Sequence, residues 1–128
     1  MKKVIIDTNI LLRFLIKDKS TLQTEAVKIF SQAEKGTFII LLNELIIAEC
    51  IWVMLSHYQM NKKKVIEQIK ELIIKDEFEI RDKTIIDSAL DTFSQSTLSW
   101  IDCYLLSQSK LLGLKLFTFD QKLARLCK

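Results

Sequence analysis

The sequence has no proline and only two glycines, Gly36 and Gly113, in 128 residues. It therefore contains no Pro/Gly/Ser linker and no low-complexity tract, and no internal repeat is visible. It has one histidine, His57, which excludes a two-histidine metal site and a histidine-paired ribonuclease mechanism. The three cysteines, Cys50, Cys103 and Cys127, form no CxxC pair and are read as reduced, structural thiols. No segment offers the roughly 18 to 20 uninterrupted apolar residues of a membrane span. Met1 to Lys17 opens basic and then apolar like a secretory leader. However, Asp7, Asn9 and Arg13 interrupt the stretch and no small-residue cleavage site follows, so the expectation is a soluble, cytoplasmic protein with no membrane partner.

What is present is a large apolar fraction. Hydrophobic residues make up 49% and the mean hydropathy is +0.19, which excludes a disordered chain. At 14.9 kDa the chain matches one domain over residues 1–128, able to bury about two-thirds of its unfolded surface. A net charge of +3 and a pI near 8.7 permit an RNA substrate without demanding one.

Val4-Ile5-Ile6 reads as a strand buried on both faces, followed by a helix from about Thr8 to Ile16. A second helix runs from about Thr21 to Lys35 and stops at Gly36. Phe38 to Leu42 is the next strand, and Asn43 caps a helix continuing to about Tyr58. Asn61 caps a helix to about Lys75, and Phe78-Glu79-Ile80 is a third strand. Helices at about Thr84 to Ser94 and Leu98 to Leu112 follow, the latter stopped by Gly113. Lys115 to Phe119 is a fourth strand, with a last helix from Gln121. Strands alternating with helices predict an α/β fold, a mostly parallel sheet covered by helices on both faces. Ligands of such sheets bind beyond the carboxyl ends of the strands, where strand order reverses.

Four acids stand alone in apolar surroundings. Asp7 is the one charged residue between Lys3 and Arg13 and follows the first strand. Glu49 is alone between Glu44 and His57, and its helical neighbours Leu45, Ile46, Trp52 and Val53 are apolar, which predicts that no exposed face accommodates it. Asp102 is alone between Asp91 and Lys110, and Asp120 follows the fourth strand. Crossover geometry puts strand ends and helix starts on one edge, so all four are expected together. Burying lone carboxylates costs several kcal/mol, and a shared divalent cation resolves that cost. Oxygen ligands without His or Cys point to Mg²⁺ or Mn²⁺. Each acid also has a plainer reading: Asp7 and Asp120 as helix caps, Asp102 as a favourable charge at a helix start.

On these residues the chain resembles the PIN-domain family, particularly the VapC-like toxins of prokaryotic toxin–antitoxin pairs. Val-Ile-Ile-Asp7-Thr8-Asn9-Ile-Leu-Leu is similar to the family's opening strand and first acid. Ile-Ala-Glu49-Cys-Ile-Trp-Val-Met-Leu is similar to its second acidic element. Trp100-Ile101-Asp102-Cys-Tyr-Leu-Leu and Leu-Phe-Thr118-Phe-Asp120 are similar to its closing pair. The resemblance implies a three-layer α/β/α fold with four strands, or five if the end adds an edge strand. It further implies a Mg²⁺- or Mn²⁺-dependent endoribonuclease, usually a homodimer and restrained by an antitoxin that covers the site. Asp7, Glu49, Asp102 and Asp120 would be its catalytic and metal-binding acids, with Thr8, Asn9 and Thr118 supporting them. Arg13 and Lys17 could guide the RNA phosphate.

Other signals carry less. Lys62-Lys63-Lys64 reads as a solvated helix face, His57 as an exposed helix-end residue, and Trp52 and Trp100 as core. Glu44 competes with Glu49, but five residues apart they point about 140° away from each other. Glu44 lies in a first turn, where a carboxylate is favoured without metal, so Glu49 is chosen. Two other classes of function fit the residues less well. An aspartyl-phosphate phosphotransfer domain would need a second aspartate that Asp7-Thr8-Asn9 lacks. A catalytically silent PIN-like binding module would be marked by loss of an acid, and none is lost.

Overall fold

The structure is a computed structural model that describes residues 2–16 and 21–127. The chain divides into two compact units, Met1–Arg81 and Asp82–Lys128.

The first unit runs β1 (Lys3–Ile5), α1 (Thr8–Ile16), α2 (Thr21–Glu34), β2 (Ile39–Leu42), α3 (Glu44–Ser56), α4 (Lys62–Ile73) and β3 (Phe78–Ile80). The strands form a parallel sheet in the order β1-β2-β3, with Val4 opposite Ile40 and Ile40 opposite Phe78. The α/β class and parallel pairing are as the sequence predicts. Strand order does not reverse among these three strands, so the reversal rule does not locate a site here.

Paired residues of a parallel sheet share a face, which sorts the strands into two sets. Ile40, Leu42 and Phe78 face inward and are buried. Lys3, Ile5 and Glu79 share the other face and are exposed, Ile5 by 78%, so β1 is not buried on both faces as expected. Lys3 Nζ reaches across β2 to Glu79 Oε1 at 3.1 Å. Both partners are half-exposed, so this bridge adds little stability.

The helices begin and end where the sequence signals lie. Gly36, at φ 86°, ends α2 as a left-handed residue. Asn43 Oδ1 accepts from Ile46 N at 3.0 Å to cap α3, and Asn61 Oδ1 accepts from Lys63 N at 2.8 Å to cap α4. In α1 and α2, Phe14 and Phe30 stack with ring centroids 4.0 Å apart, and Phe30 tilts onto Phe78 of β3. α4 buries Val65, Ile66, Ile69, Leu72 and Ile73, a helical stripe.

The second unit contains α5 (Lys83–Gln95), α6 (Trp100–Leu112) and α7 (Gln121–Leu126). α5 and α6 pack on each other, with Phe93 edge-on to Trp100 at 5.7 Å and Ser88 hydrogen-bonded to the buried Ser107. Trp100 is core, as expected. Ser99 Oγ accepts from Asp102 N to cap α6, and left-handed Gly113 ends it.

The expected fourth strand, Lys115 to Phe119, joins no ladder. The described residues hold three strands, and Phe117 and Phe119 stand in solvent. Alternating apolar and aromatic residues give strand propensity, but a strand exists only through its partner.

Candidate active site

Asp7 lies two residues beyond β1, and its Oδ1 accepts from Ile10 N at 3.0 Å while its carbonyl accepts from Leu11 N. It therefore starts α1 as a helix cap does, and its side chain is exposed. Thr8, the next residue, is 9% exposed, and its Oγ1 donates to Glu49 Oε2 at 3.0 Å across 41 residues of sequence. The first and second acidic motifs are thus joined side chain to side chain. Asn9 is exposed, and Arg13 is half-buried.

Glu49 corrects the sequence argument. It is exposed, as are Leu45 and Trp52, one turn before and after it on the same face of α3. Apolar neighbours do not imply burial: α3 is apolar nearly all round, yet it buries the stripe of Ile47, Cys50, Ile51 and Met54. Trp52 is 68% exposed, so its expected place in the core is wrong, and desolvation does not drive Glu49 toward a cation. Glu44 borders a hollow of about 360 Å³ at the strands' carboxyl ends, with Ile5, Asn43, Glu79 and Arg81. Leu45, on the exposed face of α3 that carries Glu49, borders the same hollow.

In the second unit, Asp102 is half-buried in the first turn of α6. Asp120 is exposed and caps α7, its Oδ1 accepting from Leu123 N at 2.9 Å, while Thr118 Oγ1 accepts from Asp120 N at 3.0 Å. Asp7 and Asp120 therefore do fill the plainer capping roles. Among the described residues, neither unit by itself gathers three His, Cys, Asp or Glu side chains into a metal cluster. The first unit joins Asp7, Thr8 and Glu49, and Asp102 and Asp120 belong to the second. Lys17 lies outside the described residues. A depression of about 790 Å³ in the second unit, lined by Ser109, Leu116, Thr118 and Ala124 among others, borders none of the four acids.

The residues present suit a hard divalent cation. Asp7 and Glu49 each anchor one oxygen on a protein donor. Among the described residues the other oxygen of each carries no protein hydrogen bond, which leaves oxygen donors of the kind Mg²⁺ and Mn²⁺ prefer.

The sequence reading missed the role of Cys50. Its side chain is fully buried beside Glu49, and its Sγ donates to the Thr8 carbonyl at 3.8 Å. Only its place next to the acid could have signalled this. Burial pushes the thiol from an ordinary 9.0 to about 12, and the Glu49 charge adds in the same direction. Because the folded value lies above the unfolded one, the native state keeps a proton that the unfolded chain releases. The associated stability is intact below the unfolded value and is lost as pH rises toward the folded one. Urea midpoints between about pH 8 and about pH 10.5 should fall with rising pH, and less steeply in Cys50→Ala. Equal slopes in the two proteins would assign the decline to other groups.

The first unit is thus a parallel α/β unit whose first strand leads into an acid, bonded through the next residue to a second acid on α3. The chain belongs to the PIN domain family, whose pattern matches residues 4–128. PIN domains are in general nucleases that hydrolyse phosphodiester bonds, typically with divalent metals, so the fold is of nuclease type. No curated protein matches the chain. The described residues include no helix long and apolar enough to cross a membrane.

Proposed function

We propose that this chain is a Mg²⁺- or Mn²⁺-dependent endoribonuclease, the toxin of a VapBC-type toxin–antitoxin pair, acting as a homodimer on RNA in the cytoplasm. The observation that carries the reading is the Thr8–Glu49 hydrogen bond, which couples the two acidic motifs of the first unit. The proposed ligands are Asp7 and Glu49 of the first unit and Asp102 and Asp120 of the second. These acids would hold the cation, which when bound would supply charge neutralisation at the scissile phosphate and a more acidic water.

The protein's own residues hold these acids in place. Thr8 fixes one oxygen of Glu49, and Ile10 N fixes one oxygen of Asp7. Leu123 N and Thr118 fix Asp120, and Ser99 fixes the backbone of Asp102 at the start of α6. The Asp7, Glu49 and Asp120 carboxylates, each with one oxygen held in this way, lose little conformational freedom on meeting a cation, which favours binding. Asn9 supports the first acid, and Arg13 and Lys17 guide the phosphate. An antitoxin that covers the acids restrains the enzyme.

Incubating the purified chain with structured RNAs, tRNA included, tests this. Cleavage should require Mn²⁺ or Mg²⁺ and stop in EDTA. Cleavage that persists in EDTA would sink the metal mechanism, and RNA binding without cleavage would favour a silent binding module.

A further inference from the structure

Two adjacent residues of α3 grip one residue of α1. Glu49 accepts from the Thr8 hydroxyl at 3.0 Å, and the Cys50 thiol donates to the Thr8 carbonyl at 3.8 Å. Successive helix residues are about 100° apart around the axis, so the two contacts reach Thr8 from different directions. The body of α1 is held by its buried Leu11, Leu12 and Leu15, and the second, offset contact adds a constraint at its first residue. Thr8 directly follows Asp7, so whatever fixes Thr8 also fixes where Asp7 stands relative to Glu49. The thiol itself is not available for reaction, because Cys50 has no exposed surface.

We propose that Cys50 is a positioning residue: its bond to the Thr8 carbonyl holds the start of α1 so that the Asp7 and Glu49 carboxylates keep the spacing needed to share a cation. This rests on the reading of those two acids as metal ligands. Residues that orient metal ligands from behind typically change metal affinity by about 10- to 100-fold when lost. A thiol is a weak donor, so the lower end applies.

The test compares Cys50→Ala with Cys50→Ser in the full chain. The two side chains are nearly equal in size, and only serine keeps a donor for the Thr8 carbonyl. Mn²⁺ affinity is measured by calorimetry without RNA, and melting temperature without metal. Cys50→Ala should weaken Mn²⁺ binding about tenfold and Cys50→Ser by no more than about threefold, with similar losses of melting temperature. If either variant fails to fold, Cys50→Val against Cys50→Thr makes the same comparison. Equal Mn²⁺ affinities within the pair overturn this proposal alone. A wild-type chain that binds no Mn²⁺ overturns the metal reading and this proposal with it.

Discussion

Glu49→Gln is expected to lower metal-dependent RNA cleavage by on the order of 100-fold or more while leaving the fold intact. Glutamine has the shape of glutamate, and its carbonyl can still accept the hydrogen bond that Thr8 Oγ1 gives to Glu49. What it loses is the negative charge, and with it the attraction for a cation. Because Glu49 is exposed, removing its charge relieves no burial penalty, so the change should register in cleavage and hardly in stability. Asp102→Asn should behave alike, whereas Glu44→Gln should stay within a few-fold of wild type. Initial cleavage rates at saturating Mn²⁺, beside circular dichroism of each variant, make the comparison. An inactive Glu44→Gln with an active Glu49→Gln would mean that α3 presents its other glutamate to the substrate.

The second large effect is on stability. Met54 is fully buried on the inner stripe of α3, and Met54→Ala should cost about 2–5 kcal/mol through lost contacts and a residual cavity. Trp52, two residues earlier, is the larger side chain, and by size alone its truncation should be the worse. Its 68% exposure reverses the order, and Trp52→Ala should cost no more than about 1 kcal/mol. Urea unfolding of both variants decides the matter. A Trp52→Ala loss equal to that of Met54→Ala would mean that the outer face of α3 is covered in solution.

Local signals in the sequence were legible because their causes are local. Asn43 and Asn61 cap the helices assigned to them, Gly36 and Gly113 end theirs in the left-handed conformation, and Val4, Ile40 and Phe78 lie in parallel register. Helix ends differ by a residue or two, as in α3, which stops at Ser56 rather than near Tyr58. Other expectations failed because they needed knowledge of a partner. Leu116-Phe117-Thr118-Phe119 has the composition of a strand, but pairing depends on a neighbour that the local sequence does not specify. Ile5 and Trp52 look like core residues by type, while exposure depends on what packs against each face.

The candidate site divides along the same line. The residue types at Asp7, Thr8 and Glu49 were readable from their isolation in apolar runs and from the family resemblance. The exposure of Glu49 was not readable, because a helix apolar on nearly every side gives no clue to which side is covered. The Cys50 contact was out of reach, because a buried cysteine is ordinarily packing and nothing more.

The near-uniform apolar surface of α3 also bears on how the fold is specified. A helix with one greasy stripe finds its rotation by burying that stripe, but a helix greasy all round can turn about its axis with little change in the apolar area it hides. For such a helix, hydrophobicity sets that it packs and leaves open how it is turned. The exposed Glu49 charge and a few polar attachments, the Asn43 cap, the Thr8–Glu49 bond and the Cys50–Thr8 contact, favour one setting over the others. These contacts contribute little energy and much information, since they distinguish one angular setting from several of similar energy. The acid assigned to chemistry thus also marks the angle at which its own helix sits.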